Sequence, residues 1–389
     1  MIRNISIGID IGSQTTRLII AETTKGEKYP KILCAVENET KGIRHGYITD
    51  IDQFTRSIKK ITNNAEKISG IKIKKVSISI NSITIKSEIT TGTAVISKTD
   101  GEVTNLDKER AFSDANNNLK IENKKIIDYD ILYYRLDNKE VFGDKPEGLH
   151  GLKLESKVLF NTCLSKQSDE FIEAFSECDI EVEEIRSSPL PASNIVLSDK
   201  QKIAGCALVN IGSDTTSMAV FENNHLIYLK VFPIGSSDIT NDIALGLKIP
   251  IEKAESLKLG NLVEDGSKKK LNEIIEARLS DIFELINNHL TKIKRNELLP
   301  AGIIWIGGGS KIKNLDELTK ENLKLPSKLG EIDFQETNKN KLRDPSWFNV
   351  LGIIYQKKNK NLHNNKNNFS ILLKETKSII NNFIKQLMP

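Results

Sequence analysis

The sequence predicts an α/β protein of two similar lobes, the first carrying a small α+β insertion. Three observations lead there. The chain has 389 residues, enough for two separate cores. A segment near the N-terminus recurs 200 residues later: Ile7-Gly-Ile-Asp-Ile-Gly-Ser-Gln-Thr-Thr-Arg-Leu-Ile-Ile-Ala-Glu22 against Ala207-Leu-Val-Asn-Ile-Gly-Ser-Asp-Thr-Thr-Ser-Met-Ala-Val-Phe-Glu222. Between and after the copies, strand and helix patterns alternate. A period of that length is too long for a solenoid and points to two facing lobes.

Each copy reads as an apolar strand, a small polar turn centred on glycine, and a second strand. Phe54, Ile58, Ile61, Ala65 and Ile68 recur at helical spacing over 52–68, and Gly70 follows as a C-cap. Apolar and polar residues alternate over Lys75–Ile80 and Ile83–Ile89, which predicts two strands. From 81 to 164 the pattern runs strand, helix (106–119), strand (126–136) and strand (152–163), an insertion expected to hold its own small sheet. Asn138–Gly151, with Gly143, Pro146, Gly148 and Gly151, reads as a loop. A helix over 168–178 and a strand over 182–187 return to the first lobe. After the second copy come a strand (225–232) and helices at 236–247, 251–258 and 270–294. Ile303-Ile-Trp-Ile-Gly-Gly-Gly-Ser310 is a buried strand stopping at three glycines, with helices expected near 312–323 and 345–355. Trp305 and Trp347 read as core residues. Lys357–Asn368 is almost without apolar residues and reads as a flexible linker.

Composition narrows the function. The chain is 38% hydrophobic and 28% charged, the balance of a soluble globular protein. No window approaches about 18 uninterrupted apolar residues, so no spanning helix is expected, and the first residues lack the apolar run of a signal peptide. Cys34, Cys163, Cys178 and Cys206 are scattered without a CxxC pair, which argues for reduced thiols and against a disulfide frame or zinc site. The net charge is +4, with 56 Lys+Arg mixed among 52 Asp+Glu rather than gathered on one stripe, so no nucleic acid is expected as partner.

The chemistry sits at the two turns. A Gly-Ser-x-Thr-Thr turn brings backbone N–H groups and hydroxyls to one point, and such nests bind anions. Two of them, Gly12, Ser13, Gln14, Thr15 and Thr16 in one lobe and Gly212, Ser213, Asp214, Thr215 and Thr216 in the other, would grip a polyphosphate from both sides. Asp10, ending the first strand, could hold Mg2+ through water, since Mg2+ keeps much of its hydration. Gly307, Gly308, Gly309, Ser310 and Lys311 form the third element: glycines where a strand feeds a helix let a flat ligand approach the backbone, here an adenine and ribose.

In this order these motifs resemble the actin and sugar-kinase superfamily, and within it the bacterial FtsA cell-division family. Three further segments carry the resemblance. Lys41-Gly-Ile-Arg-His-Gly-Tyr-Ile-Thr-Asp50 is similar to the family's G-x-x-x-G-x-I-x-D segment before its first long helix. Val76-Ser-Ile-Ser-Ile-Asn-Ser-Ile83 is similar to the strand entering its inserted subdomain, and Ala254-Glu-Ser-Leu-Lys258 to its A-E-x-x-K helix. The resemblance spans the chain. It implies a two-lobed actin-like ATPase fold with ATP and Mg2+ in the cleft and Glu255 and Lys258 at the nucleoside. It implies core subdomains at 1–82 with 165–200 and at 201–235 with 301–356. An SHS2-like insertion would occupy 83–164 and an outer subdomain 236–300. It also implies head-to-tail filaments at the division site, on the cytoplasmic face of the membrane. The partners would be the C-terminal tail of the tubulin-like FtsZ, docked on the outer subdomain, and other division proteins.

The sequence departs from the superfamily pattern at the second turn. Asn210 stands where an Asp is usual, and Ser213 and Asp214 where glycines are usual. Asn210 forfeits a charge that would orient Mg2+ or water, and Asp214 adds one where a γ-phosphate would lie. Ser188, in Ser188-Pro-Leu-Pro-Ala192, replaces the Glu of an E-P-x-A-A segment that assists attacking water in hydrolytic members. ATP is therefore expected as a structural or switching ligand with slow or no turnover. In the last 21 residues Leu372, Thr376, Ile379, Ile380, Phe383, Ile384, Leu387 and Met388 fall mostly on one helical face, with Lys374, Lys377 and Lys385 elsewhere. That pattern suits insertion into an anionic membrane surface, with filament formation supplying avidity; packing back onto the body or against another chain is the alternative. The alternatives for the whole chain are a PilM-like ATP-binding adaptor of pilus assembly, which needs no such tail, a sugar or acetate kinase, and a heat-shock-type chaperone. A kinase needs a general base near the transferred phosphate, and no acid fit for that role accompanies the second turn. A chaperone needs a peptide-binding β-domain, and none follows residue 356. The five histidines are scattered surface or loop residues in this reading.

Overall fold

The computed structural model describes residues 4–24, 29–260, 268–332 and 340–362. In chain order, β1 (Asn4–Ile11), β2 (Thr15–Thr23) and β3 (Lys31–Glu39) form an antiparallel meander. A short ribbon, β4 (Ile43–Arg44) and β5 (Tyr47–Ile48), leads into α1 (Ile51–Ser69) and β6 (Lys75–Ile80). The insertion holds β7 (Lys86–Val95), α2 (Asn105–Asn117), β8 (Lys124–Leu136), β9 (Lys139–Glu140) and β10 (Lys153–Leu164). Then come α3 (Ser165–Ser176), β11 (Glu181–Ser187), α4 (Leu190–Val196) and α5 (Asp199–Ala204). The second lobe runs through β12 (Cys206–Ile211), β13 (Thr216–Glu222), β14 (His225–Phe232), α6 (Ser236–Leu247), α7 (Ile251–Lys258) and α8 (Lys268–Lys292). It ends with β15 (Ile303–Ile306), α9 (Leu315–Leu323), β16 (Ser327–Leu329) and α10 (Phe348–Leu362).

The repeat in the sequence is a repeat in topology. The first sheet has the order β11-β6-β1-β2-β3, and the second contains β16-β15-β12-β13-β14. In each, the hairpin pair is antiparallel and the next strand inward is parallel: β1 to β6, and β12 to β15. The register repeats as well, since Ile11 faces Thr16 and Ile211 faces Thr216. β12 is buried on both faces. Its Cys206 and Leu208 join the core shared with the first lobe, while Ala207, Val209 and Ile211 join the core under α6, α8 and α9. Period-two alternation thus lets one strand serve two cores.

α1 shows how local chemistry sets an element. Asp50 accepts the N–H of Gln53 at 2.9 Å as the N-cap, and Gly70, at φ 68°, returns its N–H to Glu66. Phe54, Ile58, Ile61 and Ala65 between them are fully buried. Each large apolar side chain among them contributes about 1.5–3 kcal/mol.

Four expectations are corrected. The strand expected at Ile83–Ile89 starts at Lys86, because Ser82 turns the chain by accepting the N–H of Thr84 (3.2 Å) and, at its carbonyl, that of Ile85 (3.1 Å). The helix expected near 312–323 starts at Leu315, since Gly308–Lys311 is taken up in a 3-10 turn. The insertion's strands do not form a separate sheet: β7 joins β14 through the pair Lys230 and Lys86, and Ser87 Oγ both donates to Leu229 O (3.1 Å) and accepts Leu229 N (3.0 Å). Lastly, α10 continues to Leu362, through the first part of the expected 357–368 linker. The rest of that stretch and the amphipathic run 369–389 lie outside the described residues.

β8 ties the insertion to both lobes. Asp128 receives Arg186 Nη1 at 2.6 Å and Ser187 N at 2.8 Å from β11, and Asp130 receives Leu226 N at 3.0 Å from β14. Burial pushes the Asp128 carboxyl up from its ordinary range, opposed by the charge and bonds of Arg186.

Within the insertion, buried Asp107 accepts Thr104 N (2.8 Å), Thr104 Oγ1 (2.6 Å), Ser97 N (3.0 Å) and Ser97 Oγ (2.8 Å). Burial disfavours its charge, but these bonds win and hold the carboxyl at about 2. A carboxyl depressed by folding stabilises the protein fully above its unfolded pKa of about 3.9, and that contribution fades as pH falls toward the folded value. Asp107→Ala should lower stability by about 1–3 kcal/mol at neutral pH. Chemical denaturation from pH 7 down to 2 should show the gap to the wild type closing below about pH 4.

Candidate functional site

The two hairpin turns lie at matching ends of β1 and β12, and in both a glycine is required by the same contact. A Cβ on Gly12 would meet the carbonyl oxygen of Thr15 at 2.7 Å, and one on Gly212 that of Thr215 at 2.9 Å. The turns are held differently. In the first, the Gln14 carbonyl accepts Thr40 N at 2.9 Å, and the side chains of Ser13 and Gln14 make no hydrogen bond among the described residues. In the second, the Gly212 and Ser213 carbonyls accept Ser236 N and Ser237 N, both at 2.9 Å, so the turn is docked on the first residues of α6. The hydroxyls of Thr16 and Thr216 are spent inside their lobes, on Thr40 Oγ1 (2.7 Å) and the Ile234 carbonyl (2.8 Å). Both are buried, so they pin the hairpins rather than line a cleft.

Beneath the turns lies a buried polar chain. Asp10 on β1 accepts a hydrogen bond from Ser79 Oγ of β6 and lies within hydrogen-bonding reach of the Asn349 side chain on α10. Asn349 Nδ2 donates to Ser188 Oγ at 2.6 Å, and Asn210 Nδ2 of β12 donates to the same oxygen at 3.1 Å. None of the five is more than 9% exposed. Burial raises the Asp10 carboxyl from its ordinary value, against the Ser79 bond, the Arg17 charge and the Asn349 bond. Asn349 Oδ1 is buried without a hydrogen-bond partner, a group that a water or ligand would satisfy. Asp10 and Asn210 are equivalent residues of the repeat, and they reach the same chain from opposite lobes. The Ser188 oxygen is occupied by two amides.

The outer wall comes from α6, α7 and the glycine run. Lys258 is buried, and its Nζ donates to Ser236 O (3.1 Å) and Thr240 Oγ1 (2.8 Å) and pairs with Glu255 at 2.7 Å. Thr240 Oγ1 in turn donates to Glu255 at 2.5 Å. Glu255 and Lys258 thus brace the start of α6 just behind the second turn. Among the three glycines, Gly307 has φ 89°, and a Cβ there would fall 2.2 Å from Asn210 Oδ1; one on Gly309 would fall 2.3 Å from Ile211 Cγ2. Gly308 is exposed, with nothing within 4 Å of a Cβ position. The run therefore packs the floor with its outer glycines and offers open backbone at its centre. Ser310 Oγ bonds back to Gly307 O at 2.7 Å, and Lys311 pairs with Asp344.

Asn349, Ser79, His45 and Asn81 also belong to this region, and sequence reasoning passed over them. Asn349 is 339 positions from Asp10 with no local pattern to mark it. His45 and Asn81 lie inside two of the segments that carried the family resemblance, which is the signal that could have found them. Among the described residues, no three His, Cys, Asp or Glu side chains gather to hold a metal, and no helix is long and apolar enough to cross a membrane. Leu372, Ile379, Ile380, Phe383, Ile384 and Leu387 lie outside the described residues.

Two duplicated sheets of this topology, with paired glycine turns above a common polar floor, define an actin-like fold. Solved structures share the fold: the PilM–PilN type IV pilus biogenesis complex (TM-score 0.67, 14% identity, 91% of this chain and 98% of that one) and MreB5 of Spiroplasma citri bound to ADP (TM-score 0.52, 14% identity, 92% and 98%). Among proteins of that fold, the chain is similar to the cell division protein FtsA. The family model of that name matches residues 207–352. The chain is 26% identical over 370 residues to FtsA of Pseudomonas aeruginosa, covering 90% of this chain and 88% of that one. It is 27% identical over 370 residues to FtsA of Bacillus subtilis, covering 90% and 82%.

The glycine run yields a test. Gly307→Ala should lower the melting temperature by several degrees, because it forces a left-handed backbone and a clash. Gly308→Ala should leave it within about 1 °C of the wild type, as a surface change does. Differential scanning calorimetry of the two variants separates them.

Proposed function

We propose that this chain is an ATP-binding, actin-like cell-division protein that polymerises on the cytoplasmic face of the membrane and tethers FtsZ filaments there. The observation that carries the reading is the duplicated glycine turn over one buried polar floor, in a chain similar to FtsA over about nine-tenths of its length. The residues present fit a nucleotide. Among the described residues the side chains of Ser13 and Gln14 make no hydrogen bond, Gly308 leaves room for a flat group, and Asn349 Oδ1 wants a donor. In this reading ATP lies between the turns, with its adenosine at Gly307, Gly308 and Gly309 and with Glu255 and Lys258 behind it. Asp10 is buried and already bonded by Ser79, which suits holding Mg2+ through water better than direct ligation. Bound ATP would supply a polyanion that joins the lobes.

Turnover is slow or absent in this reading. Asn210 and Ser188 occupy the places from which an acid would orient water, and they hydrogen-bond each other. The tail of FtsZ docks on the outer part of the second lobe, where Leu245, Ile251 and Leu259 are 77%, 57% and 54% exposed on α6, α7 and the residue after α7. The basic amphipathic sequence 369–389 supplies the membrane anchor. A PilM-like adaptor role is the second reading, favoured by the fold match to PilM, and the peptide experiment decides between them.

Fluorescence anisotropy of the ATP-loaded protein against the C-terminal tail peptide of FtsZ from the same genome should give saturable, micromolar binding. Absence of binding to the folded, loaded protein moves the reading to the pilus-type adaptor. Deleting residues 369–389 should abolish pelleting with anionic liposomes, and unchanged pelleting removes the anchor. Phosphate release should stay well below one turnover per second; tens per second would overturn the view of ATP as a switching ligand.

A further inference from the structure

The second turn carries a feature that the nucleotide reading leaves as a difficulty: a carboxylate, Asp214, where a γ-phosphate would lie. The first lobe reaches across the cleft to this turn. His45, at the tip of the β4–β5 ribbon, places Nδ1 2.9 Å from the Asp214 carbonyl oxygen and its backbone N–H 3.4 Å from the Asp214 carboxylate. A carbonyl oxygen only accepts, so Nδ1 carries the proton in this contact. Asn81 Nδ2 donates to Thr215 Oγ1 at 2.9 Å, and Ser213 Oγ donates to the other Asp214 carboxylate oxygen at 3.1 Å.

These donors are built into the first lobe. Gln167 is buried and donates from Nε2 both to the Gly46 carbonyl and to Ser82 Oγ (2.7 Å). Gly46 packs so closely on Asn81 that a Cβ would fall 2.2 Å from its carbonyl oxygen. The ribbon tip and the Asn81–Ser82 corner therefore form one unit, presenting His45 and Asn81 to consecutive residues of the other lobe. Among the described residues no equivalent hydrogen bond spans to the first turn, which is held by Thr40 of its own lobe.

We propose that His45 and Asn81 are positioning residues of the phosphate site, and that they complete the second turn from the opposite lobe by covering its acceptors. With the Asp214 carbonyl, the Asp214 carboxylate and the Thr215 oxygen all receiving hydrogen bonds, the turn faces a phosphate with donors. The Thr215 hydroxyl, itself buried, is thereby fixed as an acceptor within the turn. Charge-assisted bonding to Asp214 offsets the repulsion that a bare carboxylate would exert on a γ-phosphate. The site is then complete only when the lobes are together. This rests on the nucleotide reading given above.

The test uses the full chain with Mg2+ and fluorescent ATP and ADP analogues, comparing wild type, the double variant His45→Gly with Asn81→Ala, and that double variant carrying Asp214→Asn. Glycine is chosen because His45 has φ 49° and glycine adds no strain there. Losing two cross-cleft bonds should weaken ATP binding about tenfold or more, and ADP binding by less. Without the imidazole and amide contacts that hold the ribbon tip on the turn, the backbone N–H of residue 45 loses its reach to the Asp214 carboxylate, so adding Asp214→Asn, which removes the charge thus uncovered, should bring ATP affinity back to within about threefold of the wild type. Equal losses for ATP and ADP that Asp214→Asn does not restore overturn the inference, as does a double variant that binds ATP like the wild type. Wild type binding neither nucleotide fails the underlying reading and this one with it, a result distinct from the others. Should the double variant not fold, Asp214→Asn alone decides: ATP affinity within about threefold of the wild type supports a covered carboxylate, and a tenfold gain overturns it.

Discussion

The two glycine turns stand over one buried carboxylate, Asp10, and the polar chain that begins at it. Asp10 is at the edge of the core, and a bare carboxylate there would be too costly to fold around. Ser79, Asn349, Ser188 and Asn210 remove that cost in a chain running from the first sheet, through α10 and the segment before α4, to the second sheet. Each member is one link, and each comes from a different element. The first sheet therefore meets α10 at Asn349, and the second joins the chain at Ser188. Gly8 permits the approach: a Cβ at that position would lie 3.1 Å from Ile353 on α10. The cleft above inherits its shape from this floor.

The duplicated turns show how one local solution is put to two uses. Glycine, serine and a pair of threonines give both hairpins the same geometry, since the same carbonyl crowds both glycines. The surroundings then separate them. The first turn is tied to β3 and its neighbour Thr40 within one sheet, while the second is seated on α6, which Lys258 and Glu255 brace from behind. Asp214 fits only the second environment, where donors from the first lobe and from Ser213 surround it. A substitution that looks unfavourable in the turn by itself is accommodated by residues some 170 positions away in sequence.

Local signals carried the fold far. The limits of β6, β14, α6 and α7 follow from alternation, helical spacing and capping, because those elements are decided by their own residues and one adjoining core. The repeat by itself marks the two-lobed plan. What stayed hidden depends on distant partners. The start of β7 is displaced by Ser82 and its bonds to Thr84 and Gln167; the junction of β7 with β14 needs residues 144 positions apart. Thr16 and Thr216 carried the signature of ligand-facing hydroxyls, yet nearby acceptors inside each lobe claim them. Asn349 had no pattern at all: its importance is created wholly by the convergence of four other elements.

α10 has a geometry that reaches beyond the cleft. It begins beside Asn349, the central link of the polar floor, and runs as helix to Leu362, a rod about 22 Å long at 1.5 Å per residue. Its first turns pack on β1, β2, β6 and α4, so its far end stands away from a base fixed at the floor. A tilt of about 10° at the buried end would carry the tip through roughly 4 Å. Whatever follows residue 362 is thereby carried on a helix seated against the first lobe's sheet and joined, through Ser188, to β12 of the second.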